Sequence, residues 1–295
     1  LIIFCTMFSP IAPLLVWYIF RKVFLSQASR QLCKNFVKKS REVTNSNHKS
    51  IKLASSKFGG FTMVIVALDF PDKGTAIETV DKLKGKIRTF KVGLELFLRG
   101  GFSVVKEIHS RGCGVFLDLK FHDIPNTVCG AAKVAIENEV FMYNVHTLGG
   151  FEFLKKVADF NREYAEKMGV KRPLLIGVTI LTSMDENDLK TIGVEGDVES
   201  EVLRLAEIAK KAGLDGVVCS PKEIKLIKEN FGEGFITVTP GIRPEWAAKN
   251  DQKRIMIPSQ AKRAGTDFIV VGRPITAAEN MEEAAERILK EIETV

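Results

Sequence analysis

Eight short apolar runs alternate with longer amphipathic stretches along residues 63–295, and this alternation limits the possible folds more than any other feature. Each run is rich in β-branched residues, as buried parallel strands are, and each intervening stretch is long enough for a helix. Helices are predicted, for example, at Glu199–Ala212 and Met281–Ile292. The predicted strands are Val64–Leu68, Thr89–Val92, Val115–Leu119, Phe141–Val145, Leu174–Ile180, Gly216–Cys219, Phe235–Thr239 and Phe268–Val271.

Eight strand–helix units in a segment of this length predict an α/β fold, a single (β/α)₈ TIM barrel over residues 63–295. A doubly wound open sheet is the alternative. Nucleotide-binding sheets of that class carry G-x-G-x-x-G after the first strand or G-x-x-x-x-G-K-[ST]. The first motif does not follow the first predicted strand, and the second does not occur in the sequence. We therefore expect one closed barrel domain.

Residues 1–62 are predicted to form an N-terminal apolar and basic extension outside the barrel. Residues 1–20 carry no charge and 16 of them are apolar, so they are about long enough to cross a ~30 Å hydrocarbon core. The basic residues that follow would place that side of a membrane in the cytoplasm. Two interpretations stay open: an anchor or targeting segment, and upstream sequence translated in frame by an over-long gene model, with Met63 as the start.

The net charge of +7 does not indicate a nucleic-acid partner, because the excess of basic residues lies in the extension. Residues 1–62 contain ten Lys/Arg and one acidic residue, whereas the rest of the chain contains 33 Lys/Arg and 35 Asp/Glu. The five cysteines include no C-x-x-C pair, which argues against a disulfide framework or a thiolate zinc site. We therefore expect a cytoplasmic barrel domain with reduced thiols and no metal site.

Charged residues stand at the predicted carboxyl ends of the first three strands, where a purely structural strand would stay apolar. Asp69 ends the first strand, Lys91 the second, and Asp118 and Lys120 the third. Catalytic residues of (β/α)₈ barrels gather at this end, and residues two apart on a strand share a face. With Asp123, the spacing predicts an alternating Lys–Asp–Lys–Asp array, because buried charges need partners. Structural ion pairs at the barrel rim are the alternative.

A second polar cluster follows the last two strands. Gly241 and Arg243 come after the seventh strand, and Gly272 and Arg273 come after the eighth. Barrels commonly bind phosphate at this position through loop amides and a helix N-terminus. Glycines let the backbone approach an anion, and a guanidinium binds phosphate through two parallel hydrogen bonds. The cluster predicts a phosphorylated ligand, whereas either arginine alone would be read as a solvated surface residue.

At these residues, positions 63–295 resemble the bacterial form of the orotidine 5′-phosphate decarboxylase family. Part of the pattern, D-x-K-x-x-D, is shared with enzymes that act on 3-keto-L-gulonate and hexulose phosphates. The extension through His-Asp-Ile-Pro and the two arginine blocks is more specific. The matching blocks are Ala-Leu-Asp69-Phe, Lys91-Val-Gly, Asp118-Leu-Lys120-Phe-His-Asp123-Ile-Pro-Asn-Thr127-Val, Asn144-Val-His-Thr-Leu-Gly-Gly, Leu-Thr182-Ser183, Gly216-Val-Val-Cys-Ser220, Val-Thr-Pro-Gly-Ile-Arg243, Asn-Asp-Gln252 and Val-Val-Gly272-Arg273.

The resemblance implies decarboxylation of orotidine 5′-phosphate to UMP and CO₂, the last step of de novo pyrimidine biosynthesis, without a cofactor. Asp69 and Lys91 would contact the ribose hydroxyls, and Lys91 would also join the charge array. Asp118 would lie against the substrate carboxylate, and Lys120 would deliver the proton to C6 of the pyrimidine.

The resemblance also implies a homodimer with shared active sites. Three residues would reach the neighbouring subunit's site: Asp123, Ile124 and Thr127. Two would read the pyrimidine edge: Thr182 and Ser183. Four would hold the phosphate, with the first of them on a mobile loop: Gln252, Arg243, Gly272 and Arg273.

Two other functions stay open from the sequence. A sister enzyme would act on a sugar phosphate with Mg²⁺, and activity lost on addition of EDTA would favour it. A membrane-tethered or polyanion-binding module would instead use the basic extension and leave the barrel inactive. Salt-dependent binding to acidic lipid or nucleic acid would favour that alternative.

Overall fold

The computed structural model describes residues 63–247 and 256–295, so the predicted extension and Gln252 lie outside the described residues. Eight parallel strands close into a barrel in sequence order, and the eighth pairs with the first. The predicted TIM barrel is confirmed. The open-sheet alternative is wrong, because an open sheet leaves two edge strands unpaired.

Each observed strand overlaps its predicted position closely. The third strand is the longest because it continues past Asp118 and Lys120 to Phe121. Its pairing with the fourth strand shifts register between Leu117 and Phe121. The strands are β1 Val64–Ala67, β2 Thr89–Gly93, β3 Gly114–Phe121, β4 Met142–His146, β5 Leu174–Val178, β6 Gly216–Val218, β7 Ile236–Thr239 and β8 Phe268–Val271.

Helices cover the outside of the barrel, and side-chain caps set several of their starts. Asp72, Asp197 and Asn280 each accept a hydrogen bond from a backbone N–H in the first turn of the following helix. No helix of the described residues is both long and apolar enough to cross a membrane. The helices are α1 Lys73–Leu83, α2 Leu94–Ser110, α3 Pro125–Glu137, α4 Gly150–Met168, α5 Glu186–Thr191, α6 Val198–Ala212, α7 Ile224–Phe231, α8 Pro258–Arg263, α9 Arg273–Thr276 and α10 Met281–Glu293.

Alternate strand residues build two apolar layers. Ile65 and Ala67 of β1 belong to the cluster inside the barrel, whereas Val64 and Val66 belong to the larger cluster between barrel and helices. Lys91 lies in register between Ala67 of β1 and Phe116 of β3, which are both interior residues. The interior is therefore apolar along most of its length and becomes charged at the carboxyl ends of the strands.

Candidate active site

A cavity of about 470 Å³ opens at the carboxyl ends of the strands, which is the size expected for a small-molecule site. Its apolar wall includes Phe116, Val178, Val218 and Val238. Nine of the residues predicted to form the site line it: Asp69, Lys91, Asp118, Lys120, Thr182, Gly241, Arg243, Gly272 and Arg273. Closure of the barrel thus brings together residues that are up to 204 positions apart in the sequence.

Four charged side chains form a continuous array on one side of this cavity. Lys91 Nζ lies 2.8 Å from Asp69 Oδ1 and 3.4 Å from Asp118 Oδ2. Lys120 Nζ lies 2.7 Å from Asp118 Oδ1. The array is electrically balanced, with two cations and two carboxylates, which offsets much of the cost of placing charge at a barrel interior.

Burial opposes the ionisation of Lys91 and Asp118, but their neighbours outweigh it. Burial lowers the pKa of Lys91, whereas the carboxylates of Asp118 and Asp69 raise it, with a net rise above the ordinary value. Burial raises the pKa of Asp118, whereas Lys91, Lys120 and a hydrogen bond from Asn144 lower it below the ordinary value. Both groups are therefore charged at neutral pH, and the ionised carboxylate of Asp118 lies beside Lys120 Nζ.

The backbone at Lys120 does not follow regular strand geometry. Its φ is +50°, in the left-handed region that a residue with a long side chain rarely adopts. Its backbone N–H donates to the side-chain Oδ1 of Asn144 at 2.8 Å, where a regular strand would donate to a backbone carbonyl. The pairing of Asp118 with Lys120 is as predicted, but the strand between them is distorted and does not simply alternate.

Asn144 contacts Asp118 and Lys120 of the array but has no predicted role. It occurs within one of the sequence blocks that resemble the family. The available signal was a polar residue inside the apolar β4, two positions after Met142, whose side chain lies inside the barrel. An interior polar side chain near the carboxyl end of a barrel strand points to the site and not to the core.

The two arginines lie on the wall formed by the loops after β7 and β8. Arg243 is buried, with 7% of its surface exposed, and its backbone N–H donates to the carbonyl of Met256 at 2.9 Å. Gly241 precedes it with φ of +81°, a conformation that favours glycine. Arg273 is exposed and begins α9. Two guanidinium groups and two glycines, Gly241 and Gly272, therefore line one cavity. Groups of this kind are able to bind an anion.

Comparison with known proteins identifies the family of the chain. A profile of the orotidine 5′-phosphate decarboxylase / HUMPS family matches residues 62–288. The chain belongs to this family. The resemblance inferred from the sequence blocks is thereby confirmed.

Named members of the orotidine 5′-phosphate decarboxylase family match the chain over nearly their whole length. The protein of that name from Syntrophotalea carbinolica is 52% identical over 229 residues, which cover 78% of this chain and 94% of the relative. The one from Vibrio cholerae is 50% identical over 225 residues, covering 76% and 96%. The crystal structure of orotidine 5′-phosphate decarboxylase from Lactobacillus acidophilus matches with a TM-score of 0.66 and 40% sequence identity. The match covers 78% of this chain and 98% of that chain.

Several residues expected from the family pattern do not line the cavity within one chain. Asp123 is exposed, and its Oδ1 accepts a hydrogen bond from the N–H of Ile124 at 2.6 Å. Within the chain, Lys91 contacts Asp69, and β3 ends at Phe121, before Asp123. The place of Asp123 in the array therefore stays a prediction. Three further residues expected from the family pattern also do not line the cavity: Ile124, Thr127 and Ser183.

Within residues 63–247 and 256–295, no three His, Cys, Asp or Glu side chains come together in a way that could hold a metal ion. Three cysteines in these ranges, Cys113, Cys129 and Cys219, are free and buried. The buried thiols of Cys113 and Cys219 have a raised pKa because burial disfavours the thiolate.

Two histidines stack beside the array without entering the cavity lining. The rings of His122 and His146 have centroids 5.4 Å apart and planes 25° apart. Burial, then His122, then Lys120 lower the pKa of His146 to about 4. Its Nδ1 is buried and has no hydrogen-bond partner among the described residues, so protonation gains no acceptor there. The imidazole of His146 is therefore neutral at physiological pH.

This lowered pKa predicts a loss of stability in mild acid. The pKa of His146 in the folded protein, about 4, lies below that of the unfolded chain, so its contribution is complete above about pH 6.5 and is lost as pH falls toward 4. Between pH 7 and 5 the free energy of unfolding should fall by about 1–2 kcal/mol more in the wild type than in His146→Gln. Urea unfolding at both pH values measures this difference, and equal losses in the two proteins would contradict it.

Proposed function

We propose that this protein decarboxylates orotidine 5′-phosphate to UMP and CO₂, the last step of de novo pyrimidine biosynthesis. The observation that carries the proposal is the contact of Lys120 with Asp118 and of Asp118 with Lys91 in the cavity. Membership of the family and relatives of that name at about half identity support it. The named substrate is a nucleotide, which fits a cavity with charged groups and two arginines.

In this reaction the bond between C6 and the carboxylate breaks, CO₂ leaves, and the electron pair stays on C6. No carbonyl is positioned to delocalise that pair, so the chain must supply the stabilising charge. The ammonium of Lys120 would oppose the negative charge as it develops and then transfer a proton to C6. Asp118 would face the substrate carboxylate and hold Lys120 in place through its 2.7 Å contact. No cofactor takes part in this proposal.

The remaining lining residues would bind the parts of the nucleotide that do not react. Asp69 and Lys91 would bind the ribose hydroxyls, and Thr182 would meet the pyrimidine edge, with Ser183 beside it. The phosphate would be held by four residues: Arg243, Gln252, Gly272 and Arg273. Binding energy from the phosphate would align the base over Lys120, which raises the rate although the phosphate is remote from C6.

Removing one residue of the proposed phosphate site should weaken substrate binding more than it slows the chemical step. Arg273→Ala is expected to raise the KM for orotidine 5′-phosphate by about 10- to 100-fold, the value of a charge-assisted guanidinium contact. The matched control is Arg263→Ala, an exposed arginine of α8 outside the cavity lining. Steady-state kinetics of both variants decide the point, and an unchanged KM in Arg273→Ala would remove this residue from the phosphate site.

We further propose that the active protein is a homodimer in which Asp123, Ile124 and Thr127 complete the partner's site. Ile124 supports this because it is 66% exposed, a high value for a large apolar side chain next to a site. Strands β2, β3 and β4 are neighbours, and further large apolar side chains are exposed just after β2 and β4: Leu94, Leu98, Leu148 and Phe151. Together they would form an apolar contact between two copies.

A charge in this apolar patch should separate the subunits. Ile124→Asp is expected to weaken dimerisation by at least about 100-fold, because the carboxylate would be buried without a partner. Ile192→Asp is the matched control, since Ile192 is also exposed, at 55%, but follows α5. Light scattering after size-exclusion chromatography measures the mass. A dimeric Ile124→Asp with normal activity would overturn the shared-site proposal.

The experiment that tests the function compares the full chain with residues 63–295, each assayed with orotidine 5′-phosphate in the presence and absence of EDTA. Both forms are expected to release CO₂ in EDTA. Loss of activity in EDTA would favour the Mg²⁺-dependent sister reaction. Activity in the full chain alone would make the extension part of the enzyme, and activity in neither would overturn the assigned substrate.

We also propose that the barrel domain acts in the cytoplasm, with residues 1–62 dispensable for turnover. Sedimentation of the full chain and of residues 63–295 with vesicles containing acidic lipid tests whether the extension binds membranes. Binding of the full chain alone is the result expected if residues 1–20 are an anchor. Equal binding of the two forms to the vesicles would contradict a membrane anchor in residues 1–20.

A further inference from the structure

The side-chain amide of Asn144 is fully buried and contacts both Asp118 and Lys120 of β3. It lies on β4, next to β3 in the barrel, and none of its surface is exposed. Its Nδ2 donates to Asp118 Oδ1 at 2.7 Å, and its Oδ1 accepts from the backbone N–H of Lys120 at 2.8 Å. One side chain thus donates a hydrogen bond to Asp118 and accepts one from Lys120.

The contact with Lys120 compensates for an irregular backbone. Lys120 has φ of +50°, and the β3–β4 pairing skips from Leu117 to Phe121, so the ladder does not hold the residues between them. A residue in such a sparsely populated conformation stays there only when its surroundings hold it. The hydrogen bond from the Lys120 N–H to Asn144 is the contact that replaces the missing ladder bond.

The contact with Asp118 sets the direction of its carboxylate. Oδ1 receives hydrogen bonds from both Asn144 Nδ2 and Lys120 Nζ, each at 2.7 Å, whereas Oδ2 faces Lys91 at 3.4 Å. An ionised carboxylate can accept several hydrogen bonds, and each donor restricts its rotation. Asn144 therefore helps to keep Oδ1 beside the Lys120 ammonium and Oδ2 beside Lys91.

We propose that Asn144 is a positioning residue for proton transfer by Lys120. It acts through Lys120 and Asp118 and does not line the cavity, so it is not itself a catalytic residue. The role needs a neutral group with one donor and one acceptor, which an amide supplies and an ionised carboxylate does not. This inference rests on the proposed decarboxylation.

The decisive variant is Asn144→Asp, because its effect should depend on pH. At pH 8 the new carboxylate would meet Asp118 at hydrogen-bond distance, and we expect kcat to fall at least about 100-fold, the cost of a misplaced catalytic group. Like charges that share a site raise the pKa of one of them, so acid would protonate the new group. A protonated acid donates and accepts as the amide does. We therefore expect the ratio of variant to wild-type kcat to recover at least about tenfold by pH 5.5.

Asn161→Asp is the matched control. Asn161 is equally buried but lies on α4, where its Nδ2 donates to the carbonyl of Pro173 at 3.1 Å, outside the cavity lining. This variant should lose stability without any pH dependence in its kcat ratio. A flat ratio for Asn144→Asp, like that of the control, would overturn the proposal.

Asn144→Ala gives a second measurement if the aspartate variant does not fold. It should lower kcat about 100-fold while leaving the KM for orotidine 5′-phosphate within about threefold, because the phosphate ligands are untouched. Its Lys120 amide should also exchange with solvent at least about tenfold faster than in the wild type. The exchange result does not depend on the substrate. An inactive wild type would contradict the proposed function, whereas unchanged kcat and unchanged exchange in Asn144→Ala would contradict the role of Asn144.

Discussion

Replacing Lys120 with alanine is expected to lower kcat for orotidine 5′-phosphate by at least about 10⁴-fold, because one side chain supplies both the stabilising charge and the proton. Lys120 Nζ lies 2.7 Å from Asp118, and its side chain is 34% exposed toward the cavity that it lines. The other array cation, Lys91, is 11% exposed and contacts both Asp69 and Asp118. Lys91 therefore cannot take over without breaking its own ion pairs.

Binding should survive the same substitution. The groups proposed to hold phosphate and ribose come from other strands, so the Kd for UMP, measured by calorimetry, should stay within about tenfold of the wild type. Lys73→Ala is the matched control, since Lys73 also pairs with a carboxylate, Glu107 at 2.7 Å, but lies on α1 outside the cavity lining. Near-normal turnover in Lys120→Ala would overturn the proposed mechanism, and loss of UMP binding would show that the variant perturbs the whole site.

Gly216→Ala is expected to cause the largest loss of stability among single-methyl changes in the barrel. A Cβ at this position would lie 2.0 Å from the backbone carbonyl oxygen of Ile236 and 2.6 Å from its carbonyl carbon. Gly216 pairs with Ile236 across β6 and β7, so the clash falls on backbone and cannot be relieved by a rotamer change. We expect the free energy of unfolding to fall by about 3–5 kcal/mol, or the protein to fail to fold.

Gly130→Ala is the matched control for this prediction. Gly130 lies in α3, and a Cβ there would meet nothing within 4 Å. Alanine is a better helix former than glycine, so this variant should be more stable than the wild type by about 0.5–1 kcal/mol. Chemical unfolding of both variants gives the comparison. A Gly216→Ala protein as stable as the wild type would mean that β6 and β7 can separate at little cost.

The strand pattern and the charges at the strand ends could be predicted from the sequence because both are local. Burial on both faces makes each parallel strand a short apolar run, so the interruption of a run by a charged residue marks its end. Asp69, Lys91, Asp118 and Lys120 were found in this way, and the structure brings them into one array. The same reasoning does not extend to Asp123, because this residue lies beyond the end of β3, and its place in the array stays a prediction.

The remaining features depend on which strands become neighbours and in what register. Asn144 meets Asp118 and Lys120 across 26 and 24 residues of chain, and this contact needs both the β3–β4 pairing and the left-handed backbone at Lys120. Gly216 is required because the carbonyl of Ile236 approaches it from β7. The eight-strand barrel and its charged residues can therefore be predicted from the amino-acid sequence, because strand periodicity and charge are properties of short segments. The distortion of β3, its contact with the Asn144 amide and the close approach of β6 to β7 cannot, because these atoms are distant in the chain and meet only once the barrel closes.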